Sequence, residues 1–368
     1  MTTPTILPPE LPVGPEIHIS DVKTFRRCRR QWYFSGLGQL ALEPAVPYRP
    51  FFTGRAIHDC LERYYETGEL PVDVFDRWLT AHIGEVEKAY GPLWEQEKET
   101  WTEEITLIQG MLDHYVVWQR HAKGMNDDGN LRFIATELEF HLPCRLASGR
   151  DIVVAGRFDG VVERLSDHTF WLFETKTTRS IKELIRSLAN DSQAGLYAWA
   201  AQEITGVPLA GVLYNLMRKK APTWPRLLQS GKLTEAKNVD TTLEVYWEAA
   251  KEAHPNMPHD TIKQEYQDML LHLEQQGNTF FRRHEEPRSQ HQLQSVFSHV
   301  LATAEEMLSP TTPLYPNDGW GNCNFCRFRE PCFAMDRGHD VAFLLENEYR
   351  KRSPYHPLSL EVNGVTDE

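Results

Sequence analysis

The chain has 368 residues, of which 41% are hydrophobic, 11% aromatic and 25% charged, and 39 basic against 52 acidic residues leave a net charge of −13. That is the composition of a soluble globular protein with a sizeable core, and it excludes a disordered, fibrous or disulfide-stapled scaffold. The negative balance also excludes a protein that coats nucleic acid through its whole surface, since such affinity comes from phosphate neutralisation, although a confined basic channel stays open to it.

Residues 1–19 form a Pro-rich lead-in without the basic and apolar stretches of a signal peptide, and no apolar run approaches the ~20 residues of a membrane span, so a cytoplasmic protein is expected. SDVKTFRRCRRQWYF predicts one helix with Ser20 as N-cap and Val22, Phe25 and Trp32 on its apolar side. TGRAIHDCLERYYE predicts a second, with Ile57, Leu61, Tyr64 and Tyr65 at helical spacing; together these fill residues 20–71. Residues 72–125 read as an insertion of two or three amphipathic helices. After the turn NDDGN, a core is expected over 126–233. RFIATELEFHL (132–142), DIVVAGRFDGVVERL (151–165) and TFWLFETKT (169–177) predict a three-strand meander. RSIKELIRSLA then predicts a helix, Asp191 caps another that Gly206 closes, and GVLYNLMRK (211–219) returns to strand. Residues 234–308 read as helical and strongly charged, 309–340 as a cysteine-bearing segment behind a Pro-rich loop, and 341–368 as a C-terminal tail. The fold class is α/β, a mixed central sheet in the order α-β-β-β-α-β flanked by helices.

Three of six cysteines, Cys323, Cys326 and Cys332, have the spacing C-x2-C-x5-C, which in a chain without an export signal points to metal rather than disulfides. Three thiolates leave a four-coordinate site open, and Cys28, in the basic and aromatic stretch FRRCRRQWYF, is the leading fourth ligand. Cys60 and Cys144 lie in apolar-periodic segments and read as buried thiols. The meander carries the sharpest constellation. Asp159 in one strand and Glu174 in the next fall side by side, and Lys176 shares a strand face with Glu174. Paired carboxylates beside a lysine suit metal-dependent phosphodiester cleavage: the carboxylates hold a hard cation, and the lysine orients or deprotonates the attacking water. Gln193 and Tyr197, four apart on a helix, offer polar contacts to a phosphate or base. His58 stands alone on its helix, a position that more often holds a satisfied core histidine than a ligand. Basic clusters occur at Arg26, Arg27, Arg29 and Arg30, around Arg179 and Lys182, and at Arg218, Lys219 and Lys220; each alone reads as a solvated face.

In order, the chain reads Gly54-x3-His58-x2-Leu61-Glu62, Gly156-Arg-Phe-Asp159, Glu174-Thr-Lys176 and Gln193-x3-Tyr197. This set resembles the PD-(D/E)XK nucleases, specifically their RecB-like branch, and the cysteine arrangement resembles the iron–sulfur members of that branch, the AddB nuclease domain and the small CRISPR-associated exonucleases among them. The resemblance implies a restriction-endonuclease-like core. His58, Asp159 and Glu174, with the Thr175 carbonyl, would bind Mg²⁺ or Mn²⁺, and Lys176 would be the catalytic lysine. Gln193 and Tyr197 would position the nucleic acid, and Arg179, Lys182, Arg218 and Lys219 would contact it. Cys28, Cys323, Cys326 and Cys332 would hold a structural [4Fe–4S] cluster. The function it implies is a DNA exonuclease acting on single strands or duplex ends in recombination, repair or phage DNA processing, alone or with a recombination or helicase partner. The alternatives are a CRISPR-adaptation-type trimming nuclease and, in another class, a zinc-stabilised DNA-binding module without catalysis. The chain carries no G-x4-G-K-[ST], so a fused motor is not expected.

Overall fold

A computed structural model describes residues 14–352; the first part of the expected lead-in and residues 353–368 of the expected tail lie outside the described residues. The chain begins with β1 (Glu16–His18), α1 (Ile19–Arg27), α2 (Arg29–Ser35) and β2 (Leu42–Pro44). Three long helices follow: α3 (Arg49–Thr67), α4 (Pro71–Tyr90) and α5 (Trp94–His121). The meander is β3 (Leu131–Arg145), β4 (Asp151–Arg164) and β5 (Thr169–Thr178), and α6 (Ile181–Leu188) and α7 (Ser192–Thr205) cross over to β6 (Leu209–Arg218). Then come α8 (Leu243–Ala253), α9 (His259–Glu265), α10 (Gln267–Gln276), β7 (Phe281–Pro287) and α11 (Gln290–Met307). The C-terminal part holds α12 (Trp320–Cys323), α13 (Arg329–Asp336), α14 (Ala342–Glu348) and β8 (Tyr349–Lys351).

The central sheet is mixed: β4 is antiparallel to β3 and β5, β5 is parallel to β6, and β7 adds antiparallel to β6. β3 follows the whole of one edge of β4, so β1 and β5 must share the other. β1 pairs with Val153–Ala155 and β5 with Gly160–Arg164. Between them the sheet forks, and residues 156–159 on that edge have no ladder partner. One face of the sheet packs against α1, α7 and α11 around Phe158, Leu172 and Tyr214. The other is covered by α3 and the α4–α5 insertion, where Tyr65 stacks on Phe133 and meets Phe173 edge-on. Local signals set the helix ends: Ser180 and Asp191 cap α6 and α7, and Gly206 closes α7 at φ 67°.

Three expectations are corrected. The single helix expected from Ser20 is two, broken at Cys28, whose backbone is extended (φ −164°, ψ 113°). Its start is also earlier: β1 runs directly into α1, with His18 at the N-cap and Ser20 inside the first turn. The helical stretch 234–308 contains the strand β7. Its inward residues are Phe281 and a fully buried arginine, Arg283, which reads in the sequence as a surface charge. Arg283 is sustained there by donating to Tyr65, Tyr115 and Asp128 and by lying 4.9 Å from the centroid of the Phe173 ring. β6 and β7 approach so closely that a Cβ at Gly211 would sit 2.3 Å from the Glu286 carbonyl oxygen. Among the described residues no helix is long and apolar enough to cross a membrane.

Candidate active site at the fork of the sheet

Asp159 ends the unpaired stretch of β4, and the fork leaves its carboxylate free to turn across to β5, where it accepts the Thr175 backbone N–H at 2.6 Å. His58, from α3, reaches Asp159 from one side, Nδ1 to Oδ2 at 3.2 Å. Burial alone would lower the imidazole pKa, but Asp159 outweighs it and holds His58 up at about 9. Burial likewise works against ionisation of Asp159, and the His58 contact and the Thr175 N–H pull its carboxyl below the ordinary value. About 29% of the His58 side chain stays exposed, so the site is open to solutes.

On the far side of the fork, Glu174 is buried and its Oε1 accepts from Lys176 Nζ at 2.6 Å. Asp191 Oδ2 lies 3.6 Å from the same ammonium while its other oxygen caps α7, so one residue ends the turn and confines the lysine. Burial disfavours the ammonium, yet Glu174 and Asp191 raise the Lys176 pKa overall. Tyr197 is buried over the site and its hydroxyl accepts from Gln193 Nε2 at 3.3 Å; Gln193 Oε1 in turn accepts from Lys23 Nζ at 3.3 Å. Gly156 makes room for this ring, because a Cβ there would lie 3.0 Å from Tyr197 and 2.9 Å from Phe140.

The structure thus brings His58, Asp159, Glu174, Lys176, Gln193 and Tyr197 around one fork. It adds Glu137 of β3, which the sequence reading missed. One donor atom each from His58, Glu137 and Asp159 lie within 4.8 Å of one another. The turn after β3 closes on the pair Arg145↔Asp151, and counting back from it places Glu137 opposite Asp159. That register was the available signal. Glu137 adopts φ 42°, a conformation that costs a residue with a side chain on the order of 1–3 kcal/mol. Burial and the facing Asp159 push its pKa up to about 9, while Arg157 Nε holds it at 2.5 Å.

This donor set fits a hard divalent cation: one imidazole, two converging carboxylates and, in Glu174 Oε2, a buried oxygen without a hydrogen-bond partner. Burial and Asp159 also raise the Glu174 carboxyl, to about 7. All three raised groups, Glu174 (4.5 to about 7), Glu137 (4.5 to about 9) and His58 (6.5 to about 9), bind protons more tightly in the folded chain. The stability that these three groups contribute to the cation-free fold is therefore lost as pH rises from about 4.5 through about 9, and a cation that displaces those protons binds better in the same direction. Thermal melts with Mg²⁺ and with EDTA are expected to differ more at about pH 8.5 than at about pH 6; an equal difference at both would remove these groups from the cation site.

The remaining expected contacts are dispersed. Arg179 and Lys182 are exposed at the start of α6. Arg218 makes two 2.9 Å contacts to Asp240, and Lys219 donates to the Pro50 carbonyl at 3.2 Å. The basic run of α1 and α2 faces protein: Arg26 donates to Thr303, Arg29 to Glu306, and Arg30 to Leu314 and Asp336. Those contacts bring Cys28 to Cys323, Cys326 and Cys332, and the four thiols line one pocket with Phe34, Phe328 and Phe333. Cys28 Sγ accepts from the backbone N–H groups of Gln31 (3.4 Å) and Asn317 (3.3 Å). Cys60 is fully buried and Cys144 partly so, outside this pocket.

No curated protein matches the chain significantly. The family model of the PD-(D/E)XK nuclease superfamily matches residues 17–333, the span that contains the fork with its carboxylates and lysine, and the chain belongs to that superfamily.

Proposed function

We propose that the chain is a metal-dependent DNA exonuclease acting on single strands or duplex ends, with a structural iron–sulfur cluster. The observation that carries the nuclease chemistry is the fork itself, where His58, Glu137 and Asp159 converge and Lys176 is held between Glu174 and Asp191. His58, Glu137, Asp159 and Glu174 would hold Mg²⁺ or Mn²⁺, with the Thr175 carbonyl completing the set. When bound, the cation supplies Lewis acidity that activates water and neutralises charge on the scissile phosphate. Lys176, kept as an ammonium, orients the attacking water and offsets negative charge developing on phosphate oxygen. Gln193 and Tyr197 fix the phosphate by hydrogen bonds, and Arg157 keeps the Glu137 carboxylate directed into the site. The exonuclease assignment rests on the ordered motif set, and Arg179, Lys182, Arg218 and Lys219 would supply outlying contacts to the backbone.

Four thiols around one pocket, two of them pushed up by burial (Cys326 upward, Cys332 to about 11), are a donor set that needs cationic metal to ionise. The iron–sulfur reading rests on the order of the ligands, one N-terminal cysteine, Cys28, and the C-x2-C-x5-C run of Cys323, Cys326 and Cys332. A fully thiolate-ligated cluster leaves no open iron, so its role is to clasp α2 to α12 and α13.

The test uses anaerobically purified protein on end-labelled single-stranded, duplex and circular DNA with Mg²⁺, Mn²⁺ or EDTA. The expected result is metal-dependent loss of linear DNA with circles spared, the label giving polarity. Cleaved circles would overturn the exonuclease assignment, and no cleavage by folded, metal-loaded protein would overturn the nuclease assignment for this chain.

A further inference from the structure

A groove leads away from the catalytic fork between α3, α4 and the cysteine segment. Its inner end includes His58 and Gln193, so it is continuous with the site. Its outer end carries two large aromatic side chains that a folded chain normally covers: Tyr48 is 51% and Phe51 58% exposed. They are not loose. The rings meet edge to face with centroids 5.3 Å apart, the Arg327 guanidinium lies 4.6 Å from the Phe51 centroid, and Phe51 stands in the first turn of α3, four residues before Arg55. Arg327 comes from within the C-x2-C-x5-C run, between Cys326 and the buried Phe328. Arg55 and Arg327 put positive charge beside the aromatic faces along the lining.

We propose that this groove is a base-stacking site for an unpaired DNA strand, in which Tyr48 and Phe51 receive the bases and Arg327 and Arg55 the backbone on its way to the fork. The proposal rests on the nuclease reading and narrows its substrate. Aromatic faces bind bases whose own faces are free; in a duplex those faces are covered by neighbouring pairs, so only a separated strand gains from them. The lining sets these rings beside three guanidinium groups, Arg55, Arg327 and Arg350, against two carboxylates, Glu43 and Glu85, and it runs to His58 and Gln193 of the proposed nuclease site, where a strand entering the groove would deliver its phosphate. The placement of Arg327 also makes the cysteine segment one wall of the groove, so the clasp positions a DNA contact as well as joining the two ends of the chain.

The experiment measures fluorescence anisotropy of labelled oligo(dT) with the full chain in EDTA, comparing wild type, Tyr48→Ala/Phe51→Ala and, as a control at an exposed aromatic elsewhere, Trp224→Ala. The double variant is expected to bind the single strand about tenfold or more weaker, and a blunt hairpin duplex within about twofold of wild type. An oligonucleotide lacking bases in its central part should lose affinity for wild type but lose no more for the double variant, a coupling that general destabilisation does not produce. Unchanged oligo(dT) binding by the double variant, equal base-removal losses in both proteins, or loss of hairpin and single strand alike would overturn the proposal. Hydrolysis of a small chromogenic phosphodiester by wild type reads the fork alone. Its absence together with strand binding that depends on Tyr48 and Phe51 would reject the nuclease reading while leaving the groove assignment standing.

Discussion

Lys176→Ala is expected to lower DNA cleavage at saturating Mg²⁺ by roughly two to four orders of magnitude, the range of a positioned proton-transfer or electrostatic group. In the proposed mechanism its surroundings set its role: Glu174 Oε1 lies at 2.6 Å and Asp191 Oδ2 at 3.6 Å, both raise its pKa, and Lys176 would enter the reaction charged. An ammonium has no lone pair with which to take a proton from water, so orientation and charge stabilisation would be its functions. Lys176→Arg keeps the charge but spreads it over a planar fork that does not match a site shaped by two carboxylates, and it should recover only a small part of the rate. The fold should survive Lys176→Ala, because Glu174, with a pKa already near 7, takes up a proton when its partner is removed. Asp159→Ala should be as damaging to cleavage and weaken cation binding besides, since it removes the residue shared by His58 and the Thr175 N–H. Circular dichroism, a thermal melt and single-turnover cleavage distinguish these outcomes; wild-type cleavage by a folded Lys176→Ala variant would sink the assignment.

Much of this fold is legible in the sequence because its signals are local. The meander strands announce themselves through alternation and turns, α7 through an Asp191 cap and a Gly206 stop, and the crossover to β6 through an apolar run between them. What escaped depends on partners distant in the chain. β7 hides because one of its two buried members is Arg283, whose burial is made tolerable by Tyr65, Tyr115 and Asp128, contributed from at least 155 residues away. β1 and β2 are three residues each, too short to carry a period, and exist because β4 and β8 offer them edges. The break at Cys28 breaks no propensity rule. It is set where the chain turns its thiol toward the other cysteines, so a helical pattern on both sides gives no warning.

The site divides in the same way. Glu174 and Lys176 are two apart on one strand, and Gln193 and Tyr197 four apart on one helix, so spacing alone relates them. Glu137 sits in a strand whose acidic residues alternate like any solvent-facing edge, and only the register of β3 on β4 turns it toward Asp159. Two carboxylates facing each other across a ladder destabilise a sheet unless a proton, an arginine or a cation lies between them. Here Arg157 and a raised pKa meet that need without a cation. The strained backbone at Glu137 shows the chain accepting a further cost to keep the carboxylate there.

Cys326→Ser is expected to remove the proposed iron–sulfur cluster and lower the melting temperature by on the order of 10 °C, taking the loss of a structural metal site at several kcal/mol. Around the four thiols the apolar packing is small: Phe34, Phe328 and Tyr349 stack at 5.3 and 5.1 Å, and β2 and β8 pair over three residues. Of the polar ties, Arg30 to Asp336 at 3.2 Å and Asn317 to the Arg27 carbonyl at 2.9 Å are exposed, and exposed contacts contribute little each, while Arg30 to the Leu314 carbonyl at 2.8 Å and Arg352 to Asp21 at 2.9 Å are part-buried. Four metal–thiolate bonds would then supply a large part of the local free energy, and removing one ligand would leave three half-buried thiols without the group that joins them. Because Arg327 adjoins Cys326, the same variant should weaken single-strand binding while small-phosphodiester hydrolysis at the fork falls less, separating the clasp from the chemistry. Cys144→Ser, at a partly buried thiol outside the pocket, should keep its iron and melt within a few degrees of wild type. Iron and acid-labile sulfide content, read beside the melts, decide the matter: a Cys326→Ser protein with full iron and an unshifted melt would show that the four cysteines do not act as one site.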